Sequence, residues 1–364
     1  MVAPPAGITW TDYLVRSLKA IEKHVVIVSY SAGIGSSYLS HKTINLDENE
    51  TIYYLPSLNC KGNSFKLRIS QTFSFIQILL FILTKTKRHD KVVLYHDYGL
   101  SLFTQIVRKF VKRNYIIVLG EFFSAVYDKC EESLRKEIKS IEGAKGYILA
   151  NSMMINYVKT INNYCISHGD YTYNSEPRAK KEDNSPIRVV YAGKISVENI
   201  NDAFIAAEIA RYTNGNFEFH ILGYGTEDDI NQLKKLVDEI NAEKGKMVVS
   251  YDGCLSGQEY DQFLSTCDIG LCTRTLKEPN CNLCFPSKTL VYLTHGLTVV
   301  CPNAEFIKKS KIASLITCVE GEMTSENMAN ALDKMNFENR DFSKELKIID
   351  SEFKDALERM LNSI

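Results

Sequence analysis

Cys284-Phe285-Pro286-Ser287-Lys288-Thr289-Leu290-Val291-Tyr292-Leu293-Thr294-His295-Gly296-Leu297-Thr298-Val299-Val300-Cys301-Pro302 holds a helix start, a helix stop and a strand in one short run. Pro286 suits the first turn of a helix, where its missing N–H loses no hydrogen bond. Ser287 and Lys288 then stand at the helix N-terminus. Backbone N–H groups point outward there, and the macrodipole favours an anion. Lys288 adds a full positive charge, Ser287 a hydroxyl donor, and Thr289 continues the turn. The pattern predicts a helix over Ser287–His295, a stop at Gly296 and a strand over Leu297–Cys301. Taken alone, Pro-Ser-Lys also reads as a plain helix start with a solvated lysine.

The same strand–helix alternation extends in both directions. After residue 186, strands are expected at Arg188–Ala192, Phe217–Leu222, Met247–Tyr251 and Ile269–Cys272, with helices at Asn199–Ala210, Asp228–Asn241 and Gly257–Cys267. Before it, Val25–Tyr30, Val92–Tyr95, Tyr115–Leu119 and Tyr147–Ala150 are nearly continuous apolar runs, as parallel strands buried on both faces require. Helices are expected at Trp10–Glu22, Phe73–Leu83, Leu102–Lys112 and Glu131–Ile141. Asn174–Pro186 (NSEPRAKKEDNSP) is charged, carries two prolines and has no apolar period, so it reads as a linker. The expected organisation is an α/β domain over 1–175, a linker over 176–186 and a second α/β domain over 187–340. Helices over 341–364 are expected to pack back on the first domain. Ligands in such folds bind at the carboxyl ends of the strands.

The chain has 364 residues, 45% hydrophobic and 24% charged, with a formal net charge of -1. That balance argues against a dedicated nucleic-acid binder. Ten cysteines without a dense framework read as reduced thiols. The start lacks a basic segment followed by an apolar run, so no secretory signal is read and a cytoplasmic location is expected. Phe73–Leu83 is the most apolar stretch and is too short to span a bilayer. It reads as a buried helix or as one lying against the inner face of the membrane. Nearby basic residues (Lys85, Lys87, Arg88 and Lys91, then Arg108, Lys109, Lys112 and Arg113) are either a solvated face or a contact for anionic lipid.

Four segments in order over residues 187–302 resemble the donor domain of GT-B glycosyltransferases, especially retaining enzymes of family 4 and related bacterial polysaccharide enzymes. Tyr191-Ala192-Gly193-Lys194 resembles a glycine-plus-cation loop, and Ile221-Leu222-Gly223-Tyr224-Gly225 a strand and phosphate-side turn. Cys267-Asp268-Ile269-Gly270-Leu271 resembles the strand before the donor loop, and the Pro286-Ser287-Lys288 helix the donor-site helix. The resemblance implies a GT-B fold of two Rossmann-like domains. It implies sugar transfer from a nucleotide-diphosphate donor, a UDP-sugar, to a glycan or lipid-linked acceptor. By position it makes Lys194 and Lys288 phosphate-binding cations, Ser287 a phosphate donor and Gly193 a point of close approach. No Asp-x-Asp sequence occurs, so no metal or other cofactor is expected.

The chain departs from that pattern twice. Val291 stands where the family carries a ribose-binding glutamate. The sugar-facing glutamate is represented only by Glu278 or Asn282. These departures keep open a sugar-nucleotide-binding partner subunit without turnover. In the first half, His96 and Asp97 follow one strand and Glu121 another. Each either meets acceptor or sugar or caps the next helix. Gly7 reads as a close-approach loop beneath the diphosphate or as a turn without a ligand. Cys281-x-x-Cys284 has no second pair to complete a tetrahedral zinc site.

Overall fold

β-Branched and aromatic runs become strands, and amphipathic stretches become helices over them, in the computed structural model of the chain. It describes residues 5–22, 24–29, 42–56, 64–87, 89–96, 114–125, 130–158, 163–174, 185–197, 202–273, 283–335, 337 and 341–364. The chain divides into two compact units. One comprises 1–150, 154–167 and 353–364; the other comprises 151–153 and 168–352.

The first unit opens with α1 (Pro5–Ile21), whose Trp10, Tyr13, Leu14 and Ser17 are buried at helical spacing. β1 (Val25–Ser29) pairs parallel to β3 (Glu50–Tyr54), and β2 (Lys42–Asp47) pairs antiparallel to β3. α2 runs Ser64–Lys85. β4 (Val92–Tyr95), β5 (Tyr115–Leu119), β6 (Gly146–Leu149) and β7 (Tyr164–Ile166) form a parallel sheet in that order, with α3 (Glu131–Ile141) between β5 and β6. β5 and β6 are buried throughout, as their continuous apolar runs require.

In the second unit, described strands form a parallel sheet in the order β10-β9-β8-β11-β12-β13. β8 is Ile187–Lys194, β9 Phe217–Tyr224, β10 Val249–Gly253, β11 Ile269–Leu271, β12 Thr298–Pro302 and β13 Ile316–Val319. Interleaved are α4 (Asp202–Tyr212), α5 (Glu227–Lys244), α6 (Gly257–Ser265), α7 (Ser287–Thr294), α8 (Glu305–Lys308) and α9 (Ser325–Lys334). Ala203, Ala206, Ala207 and Ala210 let α4 lie close on a core that includes Val189, Phe219 and Ile221. α10 (Ser343–Asn362) begins in this unit, and from Phe353 its residues belong to the first. There the Phe353 ring lies 5.5 Å from that of Tyr13, and Met360 fills the space a side chain at Gly146 would need.

Several expectations change. Gly7 lies inside the first turn of α1, not in a loop. The β2–β3 hairpin, β7, β13 and α9 had no expected counterpart: Lys42–Asp47 alternates polar residues, and β7 and β13 are only three and four residues long. The Phe73–Leu83 helix is longer, and one of its faces is exposed. The change of unit comes at Ser167/His168, before the proline-containing stretch; residues 175–184 of that stretch and the expected helix over 102–112 lie outside the described residues.

A buried polar hub in the first unit centres on Glu137 of α3. Its carboxylate accepts from His96 Nε2 at 2.7 Å, from the Phe123 N–H at 3.0 Å and from the Ser124 N–H at 2.9 Å, and also from the Ser124 hydroxyl. Burial raises the Glu137 pKa, but the bonds from His96 and Ser124 outweigh it and hold the carboxyl below the usual glutamate value. A depressed folded pKa means that the hub stabilises fully above about pH 4.3 and fades as the pH falls through the lowered value. Glu137→Ala, which strands buried N–H donors, is expected to cost about 3 kcal/mol. Differential scanning fluorimetry should show it as a drop of roughly 6–12 °C in the melting of the first unit.

Candidate functional site

The carboxyl ends of β8 and β9 meet the start of α7. Gly193 and Gly223 are register partners, and a Cβ on Gly223 would lie 1.9 Å from the Gly193 carbonyl oxygen. Only glycine fits there. Gly225 is equally close-packed: a Cβ would lie 2.6 Å from the Ile195 carbonyl oxygen. Tyr224, between them, is half exposed. The turn after β8 is tied down by Asp229, which accepts from the Val197 N–H at 2.9 Å. The Thr226 hydroxyl, then the Val197 N–H, hold the Asp229 carboxyl below its ordinary value, and the charge of Lys194 adds to the effect.

α7 starts after Pro286, which is the N-cap, and ends through Gly296. That glycine has φ 72°, its N–H bonds the Leu293 carbonyl at 3.0 Å, and the Leu297 N–H bonds the Tyr292 carbonyl at 2.9 Å. The left-handed residue closes the helix and sends the chain into β12. At the other end, the Asn151 amide donates to the Cys284 carbonyl at 2.8 Å, holding the approach to Pro286. Tyr292 fixes the rotation of the helix. Its hydroxyl accepts from the Ala192 N–H at 2.8 Å, and its ring covers Gly270, where a Cβ would lie 2.2 Å from it.

One turn before Tyr292, the Lys288 ammonium sits 3.9 Å from the centre of the Tyr191 ring and against Gly193, where a Cβ would lie 2.9 Å from Nζ. Burial lowers the Lys288 pKa, but Tyr191 and then Asp202 raise it further, so the net shift is upward and the amine stays charged at neutral pH. Ser287 and Lys288 are half-buried. Helix-end N–H groups, an ammonium and a close glycine backbone therefore converge, and Lys194 stands exposed at the end of β8. This combination suits a phosphate or diphosphate.

Expected residues thus fall into three groups. Lys194, Gly193, Gly223, Tyr224, Gly225, Pro286, Ser287 and Lys288 share one end of the second sheet. Thr289 belongs to the same helix but is completely buried, so its hydroxyl packs rather than faces a ligand. In the first unit, Glu121 is half-buried two residues after β5. The His96 ring is buried on Glu137, so its expected contact with substrate gives way to a structural bond. Glu278, Asn282, Asp97 and Cys281 lie outside the described residues. Tyr191 and Gly270 lie in the segments that resemble the family pattern, and Tyr292 one turn after Lys288 on the apolar side of the helix, but sequence reading gives none of them a role; Asp202 carries no local signal. Among the described residues no group of three His, Cys, Asp or Glu is placed to hold a metal ion. His295 is bound instead to the Val291 carbonyl and to Asp261.

No protein-family profile matches this sequence, and no curated protein matches it. Solved structures do. The trehalose-6-phosphate protein from E. coli bound with UDP-2-fluoro glucose superposes with a TM-score of 0.72 at 13% identity, covering 100% of this chain and 98% of that one. Sucrose-phosphate synthase from Thermosynechococcus elongatus gives 0.67 at 12% identity, covering 97% and 92%. Anabaena HepE in complex with UDP gives 0.54 at 13% identity, covering 81% and 82%. These neighbours are GT-B glycosyltransferases. The chain has their α/β architecture, the two-domain GT-B fold, built here mainly on parallel sheets.

Proposed function

We propose that the chain is a glycosyltransferase that moves a sugar from a UDP-sugar to an acceptor hydroxyl. The observation that carries this reading is the seating of Lys288, at the start of α7, against Gly193 at the end of β8. Two solved neighbours that share the fold hold UDP or a UDP-sugar, which supports the choice of nucleotide.

As the glycosidic bond to phosphate breaks, negative charge grows on the departing diphosphate. Lys288, the α7 N–H groups, the Ser287 hydroxyl and Lys194 are the groups that would neutralise it. Protein cations then do the work a divalent ion does elsewhere, so we infer a metal-independent reaction; retention of anomeric configuration rests on the resemblance to family 4 enzymes alone. Glu121 is the first-unit residue we assign to the acceptor or sugar. The acceptor is a glycan or lipid-linked hydroxyl, and the setting is bacterial polysaccharide or surface-glycan assembly.

Val291 favours a second reading. It is one turn after Lys288, half-buried and unable to accept a hydrogen bond from ribose. A chain that binds nucleotide weakly would suit a partner subunit without turnover of its own.

Melting of the purified chain with millimolar UDP, GDP or ADP and their sugars separates these readings. UDP is expected to raise the midpoint by several degrees, unchanged by EDTA. No shift with any nucleotide would sink the donor site. In a transfer assay, Lys288→Ala should lower kcat/KM by about 100-fold or more, which corresponds to about 3 kcal/mol of lost transition-state stabilisation. Full activity in that variant would overturn the assignment, and a wild-type chain that binds UDP without turnover would favour the partner subunit. Val291→Glu is expected to tighten UDP binding roughly tenfold in calorimetry by adding a charged ribose acceptor.

A further inference from the structure

Helix α2 has two contrasting faces. On one, Ser70, Ser74, Ile78 and Ile82 are buried, Phe81 lies 5.1 Å from the Tyr53 ring, and Gln77 donates to the Pro56 carbonyl at 2.9 Å. That face packs on the body of the unit. The other face carries Phe65, Ile69, Phe73, Ile76, Leu80 and Leu83, which are 72%, 47%, 42%, 52%, 54% and 51% exposed. At 3.6 residues per turn these six fall within an arc of about 80° and run about 27 Å along the helix. Isolated exposed apolar residues are ordinary, but a continuous stripe of this length marks a surface that is covered in use.

Charge identifies what covers it. Ser64–Lys85 contains Lys66, Arg68 and Lys85 and no acidic residue. A second copy docking through the same face would set two acid-free, basic helices side by side. An anionic lipid surface instead satisfies both the apolar stripe and the positive charge. Among the described residues no helix is long and apolar enough to cross a membrane, so the fitting geometry is a helix lying in the interface plane.

We propose that α2 docks the chain on an anionic membrane, with Phe65, Ile69, Phe73, Ile76, Leu80 and Leu83 sunk to the headgroup–acyl boundary. The docking does not depend on the glycosyltransferase reading, and its failure would leave that reading intact.

The test is vesicle flotation of the full chain with phosphatidylcholine alone and with about one-third phosphatidylglycerol added. The wild type should float with the anionic vesicles, bind neutral ones less, and lose part of its binding at high salt. Ile76→Glu/Leu80→Glu should lower the partition coefficient roughly tenfold or more, with unchanged circular dichroism and an unchanged UDP-induced melting shift. Equal flotation of that variant, or no flotation of the wild type, overturns the proposal. A wild-type dimer in light scattering that the same variant dissolves also overturns it, in favour of self-association.

Discussion

A single hydrogen bond, from the Ala192 N–H to the Tyr292 hydroxyl, sets the geometry at the end of the second sheet. The tyrosine ring can reach that position only because Gly270 of β11 has no side chain. β8, β11 and α7 are therefore locked to one another through a fully buried tyrosine, whose misplaced hydroxyl would cost a desolvated polar group. Lys288 lies one turn earlier on the same helix, so its ammonium is carried to Tyr191 and Gly193 without a long flexible search. A cation held this way is pre-organised before any anion arrives, which is the condition under which charge stabilisation is strongest.

The alternation of apolar runs and amphipathic helices made the second half of the chain readable. β8, β9, β11 and α7 appear within a few residues of where the pattern places them, because each is a strand buried on both faces or a helix with a clear start and stop. Pro286 and Gly296 bracket α7 by elementary backbone chemistry. The first half was less legible. β2 of the β2–β3 hairpin carries no apolar run, and the partly exposed β3 leaves only a short trace over residues 52–55. Gly7 looked like a turn, yet Pro5 before it is as suitable for a helix start as for a loop.

Side-chain purpose was harder to read than backbone path. His96 follows a parallel strand, the position where substrate-facing groups are found, and nothing local distinguishes that from its actual bond to Glu137, which lies far along the chain. Tyr191 and Asp202 bear on Lys288 only through tertiary packing. Val291 shows the converse. The residue type alone removes a hydrogen-bond acceptor from the inner turn of α7, whatever the fold around it.

α10 runs from one unit into the other, so the first unit is completed out of order along the chain. Residues 353–364 belong to the unit built mainly by the first 150 residues, where Phe353 meets Tyr13 and Met360 covers Gly146. A ribosome delivers most of the first unit early and its closing piece only after the second. The early unit must therefore wait, incompletely covered, while the whole of the second is made. Cutting the chain between the units would not yield two independent proteins: the first fragment would lack part of its own core.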